Sequence, residues 1–186
     1  MTTSTLPPQE RYHRVIISLH WLMLLLLIAV YACIELREFF PKGSDPRKAL
    51  KMWHFMLGLS VLAFALVRLT FRLRHGRPSI VPAPPAVQEK IATLMHVMLY
   101  ALMLGMPLAG WMILSAEGHA IPFFGLELPA LIAPDKELAK QIEELHTTFG
   151  KFGYFLIGLH ALAGIYHHHF VKDNTLKRMM PAPREK

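Results

Sequence analysis

Four long apolar stretches constrain the fold of this chain more than any other feature of its sequence. A helix needs about 20 mostly apolar residues to cross the hydrocarbon core of a bilayer, and four windows meet that requirement. They lie at roughly residues 15–36, 52–71, 91–114 and 142–171. The pattern predicts an all-α fold, a four-helix transmembrane bundle that forms a single domain over residues 1–186 and is surrounded by the lipid bilayer.

The composition supports a membrane protein and argues against several other classes. Hydrophobic residues make up 53% of the 186 residues, charged residues make up 18%, and the mean hydropathy is +0.34, unlike an average soluble domain. The first stretch is longer than the core of a secretory signal, so it predicts a retained helix. The sequence has no Gly-rich phosphate loop, and we expect neither a soluble catalytic domain nor a nucleic-acid partner. Cys33 has no second cysteine to pair with and is assigned to packing.

The distribution of lysine and arginine predicts the orientation of the bundle. Twelve of the 20 lie on the side of the N-terminus, the proline-rich linker at residues 72–90 and the C-terminus. The positive-inside rule then places both termini in the cytoplasm. These twelve residues are Arg11, Arg14, Arg68, Arg72, Arg74, Arg77, Lys90, Lys172, Lys177, Arg178, Arg184 and Lys186.

Histidines occur in depth-matched pairs on the predicted spans. His146 and His160 are fourteen residues apart, which is about 40° short of four helical turns and roughly 21 Å along the axis, so they share one face. His54 matches His146 at the outer side, and His20 matches His160 at the cytoplasmic side. Intramembrane histidines are costly and are usually functional, and paired histidines across a bundle hold b-type haem iron.

Glycines accompany these histidines at helical spacing. Gly58, Gly150 and Gly164 each follow a paired histidine by four residues, so each shares a helix face with it and would let a flat macrocycle approach the backbone. Two alternatives remain open. The glycines could serve only helix packing, with the histidines hydrogen-bonded to carbonyl groups. Zinc is a weaker alternative because it favours four close ligands, including cysteine or carboxylate groups that these depths do not offer.

The segments around these histidines resemble a known family. SLHWL, MWHFMLG, LHTTFGKFGYFLIGLH and HHHFVKDNTLKRMMP are similar to the bacterial dihaem cytochrome b-561 family, of the superoxide oxidase type, from about Arg11 to Pro181. The resemblance implies two haems b, held by His20 with His160 and by His54 with His146, in the bacterial inner membrane. It also implies that electrons from superoxide, oxidised to dioxygen at the periplasmic face, reach ubiquinone near the cytoplasmic side.

A cluster of basic residues precedes His54 in the predicted loop between the first two spans. A basic mouth would steer an anion such as superoxide toward the outer haem. Alternatively, Glu35, Glu38 and Asp45 could neutralise the cluster, or some of its members could bind haem propionates. The cluster consists of Arg37, Lys42, Arg47, Lys48 and Lys51.

Polar residues near the cytoplasmic histidine pair are candidate quinone ligands. A quinone carbonyl needs hydrogen-bond donors, and its reduction needs protons; Ser18, His96 and His167 could supply both. His168 and His169 are expected at the membrane interface. Together with these residues, the resemblance implies a superoxide:ubiquinone oxidoreductase. One alternative is a non-catalytic subunit that passes electrons from a partner dehydrogenase to quinone. Another is a haem-free transporter or scaffold, which would leave the histidine pairs unexplained.

Overall fold

The structure, a computed structural model, describes residues 11–181 and confirms a bundle of four long helices. Each of the four is long and apolar enough to cross a membrane. Two residues in the charge count, Arg184 and Lys186, lie outside the described residues. The helices are α1 (Arg14–Leu36), α2 (Asp45–His75), α3 (Ala86–Glu117) and α4 (Lys136–Tyr166).

Three helices are longer than the apolar stretches that predicted them. Helix α2 begins directly after Ser44, with a proline in its first turn, a position that favours helix initiation. As a result Arg47, Lys48 and Lys51 lie on α2, and the prediction that they belong to a loop was wrong. The linker was also predicted too long, because both α2 and α3 continue into it. Hydropathy windows miss these charged turns since they lie outside the apolar segment.

A short β-hairpin, absent from the sequence prediction, joins α3 to α4. Its strands are β1 (Ile121–Phe123) and β2 (Leu126–Leu128), paired antiparallel. The two residues between them, Phe124 and Gly125, both have positive φ angles, of 47° and 85°, as a tight type I′ turn requires. Buried Ile121 packs the hairpin against the ends of α2 and α3.

An apolar cluster fills the middle of the bundle and separates its two ends. All four helices contribute side chains to this cluster. Close packing of these side chains fixes the position of each helix relative to the others. We call the two ends the His54 end and the His20 end, after the paired histidine on each side of the cluster. Its buried members are Met23, Val61, Ala65, Leu99, Met103 and Leu156.

The segment after α4 folds back over the His20 end. A π-helical turn (His167–Val171) leads into a tail in which Asn174 and Val81 exchange backbone and side-chain hydrogen bonds of 2.9 and 3.1 Å. The Trp21 indole donates to the Met179 carbonyl at 2.8 Å. We call residues 172–181 the tail strap. It brings the start of α1, the linker and the tail together at one end of the bundle.

Candidate functional site

The four paired histidines meet in the structure as two pairs of matching geometry. The ring centroids of His20 and His160 are 6.2 Å apart with an interplanar angle of 77°. Those of His54 and His146 are 6.3 Å apart at 76°. Each pair combines one histidine of α4 with one from another helix, and the four side chains are half-buried. Helix α4 therefore contributes one member to the pair at each end.

This spacing fits two axial ligands on one iron. A metal–imidazole bond is about 2.0 Å long, so two imidazole nitrogens on opposite sides of an ion are about 4 Å apart and the ring centroids behind them about 6 Å. Among residues 11–181, no group of three or more His, Cys, Asp or Glu is arranged to hold a metal ion. The pairs thus fit haem iron, for which the macrocycle supplies the other four ligands, better than zinc.

A hydrogen bond orients one of the two histidine rings at the His54 end. The His54 Nδ1–H donates to the Val30 carbonyl at 3.0 Å, which leaves Nε2 free to bind a metal. The His146 Nδ1 is buried and has no hydrogen-bond partner in the described part of the chain. A buried nitrogen without a partner is unfavourable in a packed core. The hydrogen bond to Val30 therefore orients the His54 ring, whereas no such contact orients the His146 ring within the described residues.

Glycines keep a cavity of about 260 Å³ between His54 and His146. Gly58, Gly110 and Gly150 all line it. A Cβ atom at Gly58 would meet no atom within 4 Å, and one at Gly110 would lie 3.6 Å from the His146 ring. Side chains there would project into the space beside the two imidazoles. The cavity and its glycine walls therefore fit a flat macrocycle at this end.

The other glycines near the paired histidines have different surroundings. A Cβ atom at Gly153 would collide with the Tyr31 hydroxyl and approach Leu102 to 3.1 Å, so this glycine permits close packing of helices. Gly164, four residues after His160, has no atom within 4 Å of a Cβ position. Packing alone therefore accounts for Gly153 but does not account for the glycines that line the cavity.

The five predicted steering residues divide according to their contacts. Arg47 binds both Glu38 oxygens, at 2.9 and 3.0 Å, and two backbone carbonyls. Arg37 also contacts Glu38, at 3.0 Å, and Lys48 lies 3.5 Å from Asp45. These contacts neutralise much of the cluster, as the alternative interpretation expected. Lys42 is exposed and lies outside the cavity lining, whereas Arg37 and Lys51 belong to it.

The mouth of the cavity contains residues that the sequence analysis missed. Lys151 and Lys51 both line the cavity, and neither lysine forms an ion pair within residues 11–181. The Tyr154 hydroxyl donates to Glu35 at 2.7 Å, and the Tyr31 hydroxyl donates to the Gly150 carbonyl at 2.9 Å. The available signal was a lysine and a tyrosine within two turns of His146, in a stretch that is otherwise apolar.

A third histidine joins the pair at the His20 end. The His96 ring lies 5.4 Å from that of His160. Its Nδ1–H donates to the Ala92 carbonyl at 2.5 Å, so its Nε2 is the nitrogen left for a further partner. Of the predicted quinone ligands, His96 is the one that the structure places against a paired histidine.

The other two predicted quinone ligands have different environments. His167 uses both ring nitrogens, one with Asp173 at 2.5 Å and one with Gln88 at 2.8 Å. Ser18 is exposed on α1 and makes no hydrogen bond within the described residues. Burial alone would raise the pKa of Asp173, but hydrogen bonds from His167 and Thr175 outweigh it and lower that pKa. His167 therefore anchors the tail strap.

Two neighbouring histidines and the cysteine lie away from these contacts. The rings of His168 and His169 meet edge to face in the π-helical turn, with centroids 4.8 Å apart and an interplanar angle of 79°. The His168 Nδ1 is buried without a partner in the described part of the chain, whereas His169 is exposed. Cys33 is half-buried on α1.

Histidine pairs spaced for axial ligation inside a transmembrane four-helix bundle define a membrane haem protein of the electron-transfer class. The model of the prokaryotic cytochrome b561 family matches residues 11–182. The chain belongs to this family, which implies haem b binding and membrane electron transfer. It is accordingly a multi-pass bacterial membrane protein, and its resemblance to cytochrome b-561 is confirmed.

Curated relatives cover nearly the whole chain. Cytochrome b561 homolog 1 of Escherichia coli (strain K12) is 42% identical over 172 residues, 92% of this chain and 98% of that protein. The probable superoxide oxidase CybB of Yersinia pestis is 38% identical over 94% of this chain and 98% of its own length. Cytochrome b561 homolog 2 of Escherichia coli (strain K12) is 25% identical over 92% of each chain.

Proposed function

We propose that this chain is a superoxide:ubiquinone oxidoreductase of the bacterial inner membrane. It is a single domain with both termini in the cytoplasm, so the His54 end faces the periplasm and the His20 end faces the cytoplasm. One haem b binds between His54 and His146 and a second between His20 and His160. Two superoxide anions give two electrons, one quinone accepts them with two protons, and the products are two dioxygen molecules and one quinol.

The matching of the two histidine pairs is the observation that carries this proposal. Centroid separations of 6.2 and 6.3 Å at opposite ends of one bundle suit a protein that moves electrons across the membrane. The bound haems supply the one-electron chemistry, and the protein supplies position and charge. The choice of superoxide is supported by the similarity to the Yersinia pestis protein, whose name identifies it as a probable superoxide oxidase.

The residues at the His54 end suit the encounter with a small anion. Lys51 and Lys151 are exposed at the cavity mouth and have no ion-pair partner in the described part of the chain. A positive mouth raises the local concentration of an anion and its rate of arrival. Arg37 contributes less because Glu38 contacts it. The steering function therefore rests mainly on these two lysines of the cavity lining.

The residues at the His20 end suit binding and protonation of quinone. The His96 Nε2 remains available beside His160 and can donate a hydrogen bond to a quinone carbonyl. His167 would reach a quinone only by exchanging its bond to Gln88, while its contact with Asp173 connects it to the tail strap. We assign His96 as the main quinone ligand and give His167 and Ser18 secondary positions.

Rapid mixing of the purified, haem-loaded protein with superoxide tests this function. Haem reduction should be a fast second-order reaction that slows as salt rises. A soluble ubiquinone analogue should then reoxidise the protein. Slow reduction that ignores salt, together with copurification of a dehydrogenase, would instead support the subunit that passes electrons from a partner dehydrogenase to quinone.

A further inference from the structure

Arg68 on α2 occupies a position that corresponds to a paired histidine on α4. It follows His54 by fourteen residues, the same interval that separates His146 from His160. On a helix this interval is roughly 21 Å and keeps nearly the same face. Arg68 therefore lies at the His20 end, where its charge acts on the imidazoles of both His20 and His160. The side chain is half-buried in a membrane-spanning helix.

The Arg68 guanidinium has no ion-pair or hydrogen-bond partner within residues 11–181. It forms no ion pair or hydrogen bond there, and its Nε atom is buried. A half-buried cation in a transmembrane helix is costly unless an anion or a carbonyl group compensates it. Arg72, one turn further along, shows the usual solution, because it donates to the Gly76 carbonyl at 3.1 Å. Both arginines also lie over a tyrosine ring, so the hydrogen bond is what distinguishes them.

A second orphaned donor lies beside Arg68. The Tyr100 hydroxyl of α3 is buried without a hydrogen-bond partner in the described residues. The Arg68 guanidinium carbon lies 5.8 Å from the centre of the Tyr100 ring. The guanidinium and the phenol hydroxyl both donate hydrogen bonds, and together they suit a carboxylate, which accepts several.

We propose that Arg68 and Tyr100 bind a propionate carboxylate of the haem held by His20 and His160. The inference rests on the two-haem arrangement of the proposed function. A carboxylate matches the planar fork of arginine and relieves both orphaned donors. The positive charge of Arg68 also stabilises the haem after it gains an electron, because reduction lowers its net charge by one. Arg68 thereby makes the His20 end the more favourable position for the electron.

Redox titration and resonance Raman spectroscopy of the dihaem protein test this proposal. Arg68→Gln should lower the reduction potential of the His20-end haem alone, by about a tenfold change in the reduction equilibrium, which equals 59 mV for one electron. It should also shift the propionate bending band. Arg68→Lys keeps the charge and loses the fork, so it should shift the band more than the potential. Tyr100→Phe should shift the band with little change in potential.

Arg72→Gln is the matched control because it removes a neighbouring positive charge that already has partners. It should leave the propionate band unchanged. The proposal would be overturned if the propionate band were unchanged in Arg68→Gln, Arg68→Lys and Tyr100→Phe. It would also be overturned if these variants altered only the rate of quinone reduction. If Arg68→Gln does not accumulate, Arg68→Lys and Tyr100→Phe decide the result through the same band.

Failure of this inference can be distinguished from failure of the proposed function. Loss of one haem in His20→Ala, combined with no spectral shift in the Arg68 variants, would refute the propionate contact alone. Retention of both haems in His20→Ala would refute the ligand assignment on which the contact rests.

Discussion

The two ends of the bundle contain histidine pairs of the same geometry in very different surroundings. At the His54 end, the cavity opens to a mouth with charges of both signs, including Lys51, Lys151 and Glu35. At the His20 end, the tail strap covers the helix ends, and Arg68 lies near the histidines without a counterion in the described residues. The helices therefore set the spacing of the paired histidines, whereas the connecting segments and individual charges give the two pairs different surroundings.

The difference in charge also suggests a direction for electron transfer. Positive charge near a redox centre favours its reduced form. At the His20 end, the buried carboxylate of Asp173 bonds to His167 and forms no ion pair with Arg68. At the His54 end, Glu35 and Glu117 lie among the cations of the mouth. The electric field of these charges therefore favours the state in which the electron is on the haem proposed for the His20 end. This agrees with the proposed path toward quinone.

Removing one histidine of a pair should produce the largest effect. His54→Ala or His146→Ala should eliminate the haem at the His54 end, and His20→Ala or His160→Ala the haem at the other end, because each iron loses one of its two protein ligands. Haem content should fall from about two to about one per chain, as measured by the pyridine haemochrome assay.

His119→Ala is a control for this experiment, since His119 lies outside the spans and should leave the haem content unchanged. Loss of the same haem in His20→Ala and His54→Ala would contradict the division into two independent ends.

Replacing His96 should separate quinone reduction from haem binding at the His20 end. His96→Phe removes the available Nε2 donor, so the rate of electron exit to a soluble ubiquinone analogue should fall by about 10²-fold. Both haems should remain bound and reducible by superoxide, as followed by stopped-flow absorption.

His167→Phe is the informative comparison for His96→Phe. Because both nitrogens of His167 are already bonded, its replacement should slow quinone reduction less and loosen the tail strap more, as hydrogen exchange of residues 172–181 would show. If the rate of quinone reduction were the same in wild type and His96→Phe, His96 would have only a packing role.

Neutralising the mouth of the cavity should give the smallest of the three effects. Lys51→Gln combined with Lys151→Gln should slow reduction by superoxide by about tenfold at low ionic strength, because steering is lost, and the difference from wild type should shrink as salt rises. The spectra of both haems should not change.

Lys48→Gln provides the matched control for the lysines, since Lys48 lies near Asp45 and outside the cavity lining. It should leave the rate nearly unaltered. If Lys48→Gln slowed haem reduction by superoxide as much as the double variant does, the net charge of the protein, and not the charge at the cavity mouth, would govern the encounter.

Much of this arrangement is predictable from the sequence because its signals are periodic. Apolar stretches indicate the four helices, and the fourteen-residue spacing on α4 places His146 and His160 on one face, as the structure has them. The pairing of histidines on different helices was less determined by the sequence, yet the structure brings both predicted pairs together.

Features that depend on tertiary contacts were not predictable in the same way. Whether Arg47 is free or bound depends on where the turn before α2 places Glu38. The role of His167 depends on a tail that folds back to bring Asp173 to it. Lys151 reaches the mouth because of the rotation of α4 about its own axis, which apolar periodicity defines too coarsely to choose among neighbouring residues.

In the proposed two-haem arrangement, the contribution of α4 to both histidine pairs also determines when the protein can acquire its cofactors. Helix α4 is the last of the four to leave the ribosome, and each pair lacks one ligand until this helix has entered the membrane. Three inserted helices cannot complete either site. In that arrangement, α4 must be inserted before either haem can gain both axial ligands, and insertion of this one helix makes the two proposed sites competent together.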